Sequence, residues 1–98
     1  MIRHLGYAAL ALGLGLSAQV QASEALAKEK NCMTCHSVER KIVGPSYRDI
    51  LAKKPTEAAM AQKIKQGSKG EWGAVPMPPN NVTEAEAATL AKWILTLK

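Results

Sequence analysis

The chain has 98 residues, with 13 Lys and Arg against 8 Asp and Glu, for a formal charge of +5. It holds two Cys, two Trp, two Tyr and no Phe. That length excludes a second sizeable domain. The aromatic content is too low for a large all-protein core, and domains below roughly 80 residues usually need a staple. The lysines are spread along the chain with no basic run and no Gly-rich phosphate loop, which argues against nucleic acid as a partner.

The first element is an apolar run from Leu5 to Leu16 behind Arg3 and His4. It is shorter than the roughly 20 residues a bilayer crossing takes, and Gly6, Gly13 and Gly15 interrupt it. Val20-Gln21-Ala22 supplies the small-residue pattern that a signal peptidase reads. Residues 1–22 are therefore expected to be a cleaved secretory signal, with cleavage after Ala18 the weaker option. An uncleaved membrane anchor is the competing reading. Residues 23–98 are then the single mature domain, exported to the periplasm.

Residues 24–31 read as a short helix with Ser23 as its cap and Glu24 in its first turn. It runs into Cys32-Met33-Thr34-Cys35-His36, the most informative string in the chain. Cys-x-x-Cys-His is the pattern of covalent haem attachment. Two sulfurs one helical turn apart can reach two vinyl groups on one porphyrin. The imidazole that follows is placed to ligate the iron. Three other readings are weaker. A thioredoxin-type pair needs a βαβ context. Structural zinc needs four ligands, and only Cys32, Cys35 and His36 are on offer outside the leader. A plain disulfide leaves His36 as coincidence.

Gly44-Pro45 breaks the chain, a brief helix is expected from Tyr47 to Lys53, and Thr56 caps a helix from Glu57 to Gln66 that stops at Gly67. Met60 and Ile64, with Ala61, form its apolar side. Residues 67–73 form a glycine-rich loop, which leads into Val75-Pro76-Met77-Pro78-Pro79-Asn80. The prolines exclude a helix there and hold the segment extended. Met77 is thus the candidate for the second axial ligand. Met60, in a helix, is the alternative, and Met33 lies inside the attachment turn. Thr83-Glu84-Ala85-Glu86 is a capping box for a last helix to about Leu97, with Ala87, Leu90, Ile94 and Leu97 in one stripe. The fold class is all-α, with three to four short helices.

The order of these parts resembles the small bacterial class I monohaem cytochromes c, in particular the subfamily that donates electrons to periplasmic nitrite reductase. The resemblance is carried by Cys32 to His36, by Val43-Gly44-Pro45, by the run from Gly70-Glu71-Trp72-Gly73 to Pro79-Asn80, and by Leu90-Ala91-Lys92-Trp93-Ile94-Leu95. It covers residues 24–98 and implies the class I cytochrome c fold, wrapped around one covalent haem c. It also implies further roles. The Pro45 carbonyl would accept from His36 Nδ1, fixing the ring. The Trp72 indole would donate to a haem propionate, and Asn80 to the Met77 sulfur or its surroundings. Leu26, Leu90 and Ile94 would lie near the crossing of first and last helices. Lys63 stands where the family often has Arg facing the propionates, a point charge in place of a planar fork. Lys53-Lys54-Pro55-Thr56 is a shorter connection than usual and lacks the aromatic residue often found there.

The implied function is one-electron carriage with no enzyme activity. The implied donor is a membrane cytochrome complex. A nitrite reductase, terminal oxidase or peroxidase would be the acceptor, and the carrier itself a monomer. Met33, Ile42, Ala74, Val75, Pro76 and Pro78 match the family's apolar contact patch, with Lys28, Lys30 and Lys41 as candidates to steer an acidic partner. The alternatives are a haem enzyme or gas-binding sensor with a displaceable Met77, and a non-haem redox or metal module built on Cys32 and Cys35.

Overall fold

The structure is a computed structural model and describes residues 23–97. The expected leader, residues 1–22, lies outside the described residues. Residues 23–29 are helical (α1). Next come α2, Cys32–Cys35; α3, Tyr47–Ala52; α4, Glu57–Gln66; and α5, Glu84–Leu95. Among the described residues there is no sheet, only two isolated bridges, His36 with Lys41 and Ser68 with Met77.

Local chemistry sets the element ends. Ser23 is itself helical and buried, so it is not the cap expected of it. Asn31 closes the first helix in the left-handed region (φ 63°), which Asn tolerates better than most residues, and the chain turns there into α2. Ser46 caps α3 by accepting from the Asp49 N–H at 3.1 Å. Thr56 caps α4 in the same way through Ala59, and Gly67 ends it at φ 81°.

The α5 capping box is complete. Glu86 N–H donates to Thr83 Oγ1 at 3.0 Å and Thr83 N–H donates to Glu86 Oε1 at 2.9 Å. Those contacts hold the Glu86 carboxyl below its ordinary value. The contribution of that carboxylate is thus full above the ordinary value and is lost as pH falls through the lowered one. Thr83→Ala should cost about 1 kcal/mol. In a domain of this size that corresponds to a melting temperature lower by roughly 4–8 °C, checked by a thermal melt of the holoprotein.

The last helix ends at Leu95, two residues before the expected stop. Thr96 and Leu97 donate their N–H groups to Trp93 and Ile94 in tighter i to i−3 bonds. α4 packs on α5. The core contains Ala27, Tyr47, Met60, Ile64, Val82, Ala87, Leu90, Ala91, Trp93 and Ile94. Of the expected crossing residues, Leu90 and Ile94 are buried. Leu26 is half-buried against them, and its neighbour Ala27 is the fully buried position. Ala27 and Ala91 both have 0% exposure, so small side chains occupy the tightest points of the core. The large side chains buried below 2% relative exposure, or close to it, are few: Leu90 at 1% and Tyr47 at 2%.

Candidate functional site

Helices and the loops between them both contribute walls to the site. Two clefts, of about 640 and 550 Å³, share Cys35, His36, Ile64, Met77, Pro78 and Ile94 on their walls. Both volumes fall in the usual range for cofactor sites. Cys32 and Tyr47 line the smaller cleft, and Met60, Lys63 and Trp72 line the larger. The expected ligands His36 and Met77, far apart in sequence, therefore line the same clefts.

Each side is held by its own backbone. Cys32 and Cys35 occupy one helical turn, with free, half-buried thiols. Burial pushes the Cys32 thiol up. His36 N–H donates to the Cys32 carbonyl at 3.0 Å, so the imidazole leaves the end of that turn in extended conformation. The His36 Nδ1 lies 2.7 Å from the Pro45 carbonyl, the contact expected of Pro45. A carbonyl can only accept, so Nδ1 carries the hydrogen and Nε2 keeps its lone pair for a metal.

Gly44 makes the approach of that loop possible. A Cβ there would stand 2.7 Å from His36 Cε1 and 3.3 Å from the Cys35 carbonyl oxygen. Gly44→Ala should therefore cost about 1–3 kcal/mol through overpacking. The check is the denaturant midpoint of the holoprotein, with an unchanged slope.

On the other side, Met77 pairs with Ser68 through both backbone groups, at 2.9 and 3.0 Å. This fixes the extended Pro-rich segment against the end of α4. Gly67 has φ 81°, and a Cβ there would meet the Met77 carbonyl at 2.3 Å. Asn80 Nδ2 donates to the Ile64 carbonyl at 2.7 Å, so one of its amide hydrogens ties the Met77 loop to α4 rather than reaching the sulfur. Met60 is buried in the core at 6% exposure while bordering the larger cleft.

A charged rim closes one end. Trp72 is half-buried, with Lys53 Nζ 4.0 Å from its ring centroid. Lys63 borders the cleft, but its ammonium is hydrogen-bonded to Glu71, whose carboxyl it holds below the ordinary value. The sequence reading assigned no part to Glu71 or Lys53. Nothing local signals either contact, because each reaches from a helix or its end to the loop that follows α4.

The expected patch is exposed at Ile42, Ala74, Val75, Pro76 and Pro78, while Met33 is half-buried against the core. Val43, 50% exposed, belongs with it and was missed. Of the candidate steering lysines, Lys41 lines the larger cleft and Lys30 the smaller. Lys28 lines neither and pairs with Glu24 at 3.5 Å.

The donor set suits haem: two thiols on one turn, an imidazole with a free Nε2, and a thioether across an apolar slot. The family model of cytochrome c matches residues 20–98. The chain belongs to the cytochrome c family. Cytochrome c-551 of Pseudomonas aeruginosa is 48% identical over 89 residues, covering 87% of this chain and 86% of the relative. Cytochrome c-552 of Nitrosomonas europaea is 53% identical over 93 residues, covering 90% of each. The crystal structure of wild-type Nitrosomonas europaea cytochrome c552 superposes with a TM-score of 0.72 at 54% identity, over 76% of this chain and 99% of that one. The class I cytochrome MtoD of Sideroxydans lithotrophicus gives 0.65 at 29% identity, over 80% and 95%. The helical, sheet-free architecture of the described residues is thus the class I cytochrome c fold. As a cytochrome c, the protein carries one covalent haem c and serves electron transport.

Proposed function

We propose that this cytochrome c is a diffusible periplasmic one-electron carrier whose haem is attached through Cys32 and Cys35 and ligated by His36 and Met77. The observation that carries the reading is the shared lining of the two clefts, which includes both His36 and Met77. Haem, once attached there, supplies an iron that gains and loses one electron.

The chain's own residues explain why carriage is favoured over catalysis. The Pro45 carbonyl orients the imidazole and raises its basicity. The Ser68–Met77 pairing and the Asn80–Ile64 bond hold the thioether segment in place. An iron held by both His36 and Met77 would have no position left for a substrate. Trp72, Lys53 and Lys63 border the end suited to the propionates, with Glu71 competing for Lys63. Met/His ligation places the potential high for a haem. The competing reading, a sensor or enzyme with a displaceable Met77, requires a mobile thioether segment, and the Ser68 pairing opposes it.

Location follows from the front of the chain. Residues 1–22 have the make-up of a cleaved export signal, and the family match leaves the Leu5–Leu16 run outside it. No helix among the described residues is long and apolar enough to cross a membrane. The haem partner proteins are then periplasmic, with a membrane cytochrome complex as donor. Nitrite reductase, a terminal oxidase or a peroxidase is the acceptor, in line with the subfamily resemblance.

The exposed side chains of Val43 and Val75 line the larger cleft together with Lys41, and Ile42 between Lys41 and Val43 is exposed as well. This suits a small, short-lived contact with an acidic partner. The second-order electron-transfer rate with such a partner should fall by about tenfold between 0.01 and 0.5 M salt, a modest steering effect for a mild charge. Stopped-flow kinetics against candidate reductases tests this. A rate independent of salt would remove lysine steering and leave apolar docking alone.

A further inference from the structure

Tyr47 stacks on the axial histidine. The ring centroids of Tyr47 and His36 are 5.3 Å apart, with 23° between the planes. On another side Trp93 meets Tyr47 edge-on, at 5.9 Å and 79°. The Tyr47 hydroxyl donates to Met33 Sδ at 3.8 Å, a contact with the attachment turn itself. The residue is 2% exposed, and its N–H donates to the Ser37 carbonyl at 2.9 Å. Ring and backbone are therefore both fixed before the ring touches His36.

The Pro45 bond does not finish the job of holding the imidazole. One hydrogen bond fixes one ring atom and the direction of its N–H, and leaves tilt of the plane about that contact soft. A flat face lying nearly parallel to the ring opposes that tilt. Aromatic pairs favour such offset, near-parallel arrangements. The hydroxyl contributes less, because thioether sulfur is a weak acceptor.

We propose that Tyr47 is a positioning residue that sets the plane of the His36 imidazole at the iron. This rests on His36 being an axial ligand. In a low-spin ferric haem the plane of the imidazole helps to order the iron d orbitals. It thereby helps to decide which porphyrin positions carry unpaired spin. Tyr47 thus acts on the electronic structure of the iron through the ring it packs against.

The test uses ferric holoproteins and the paramagnetically shifted haem methyl resonances in proton NMR. Tyr47→Phe keeps the stack and loses the hydroxyl contact, so it should keep the wild-type order of methyl shifts. Tyr47→Leu loses the flat face and should reorder or compress them. Val82→Ala, a core change away from the imidazole, should lower the melting temperature with the methyl order unchanged. A Tyr47→Leu protein that melts lower yet keeps the wild-type order would make Tyr47 a core residue only and overturn the proposal. The wild-type ferrous protein supplies a measurement that no folding defect can obscure. Tyr47 ring protons should show nuclear Overhauser contacts to His36 ring protons, and their absence overturns the proposal whatever Tyr47→Leu does. A high-spin wild-type ferric spectrum would instead signal failure of the His36–Met77 ligation, so the two failures are read apart.

Discussion

Met77→Ala should turn this carrier into a ligand-binding haem protein. The Met77 segment is fixed by paired bonds to Ser68, and by Asn80 through the Ile64 carbonyl. The substitution removes the sulfur without unfastening that segment. Under the proposed ligation the iron would then lose its thioether, water or an added ligand could enter, and ferrous protein should bind carbon monoxide where the parent does not. Thioether ligation favours the reduced iron, so the potential should fall. A drop on the order of 0.1 V or more is reasonable, given that axial ligands span about 0.8 V across haem proteins. Redox titration and a carbon monoxide difference spectrum measure both effects. Met60→Ala is the matching control. Met60 is buried on α4, at 6% exposure, in contact with the core. Its loss should destabilise by about 2–5 kcal/mol, as large-to-small core changes do, and leave the iron closed. If Met60→Ala opened the iron and Met77→Ala did not, the axial assignment would be reversed.

The second large effect is loss of the fold with loss of the haem. Few large side chains are fully buried, and Trp72 and Met77 on the cleft walls are only half-buried by protein. In a domain this small, protein burial alone rarely yields more than about 3–5 kcal/mol. The double change Cys32→Ser with Cys35→Ser removes both attachment points. The product, made in the same host, should lose most of its helical far-ultraviolet signal and show no cooperative melt. A sharp, two-state melt of that haem-free chain would show that the protein core suffices.

What was legible in the sequence was local. Thr56 and Gly67 bracket α4 as expected, and Thr83 with Glu86 forms the capping box as expected, because each device works within one turn of its own chain. The single turn that holds Cys32 and Cys35, with His36 leaving its end, was legible because the motif is contiguous in the chain. Proline flanks made Met77 stand out as a loop residue. Contacts between distant segments were not legible. The stack of Tyr47 on His36, the space that Gly44 leaves beside that ring, and the Lys63–Glu71 pair all depend on how helices and loops meet after folding. Ser23 shows the reverse error. Serine is a good cap, but here it lies inside the helix, so a favourable residue type gave the wrong boundary. Leu26 packs half-buried against the core as expected, while its fully buried neighbour Ala27 carried no signal of its own because a small side chain marks no apolar stripe.

The central claim is that one haem is held by both cysteines of a single helical turn. Mass spectrometry of the proteolytic peptide spanning Cys32 to His36, from protein exported by a host competent in haem attachment, tests it most directly. The account predicts one peptide heavier by a single haem, still coloured after acid–acetone extraction, with neither thiol open to alkylation. A colourless peptide of unmodified mass, with Cys32 and Cys35 both alkylated, would contradict it.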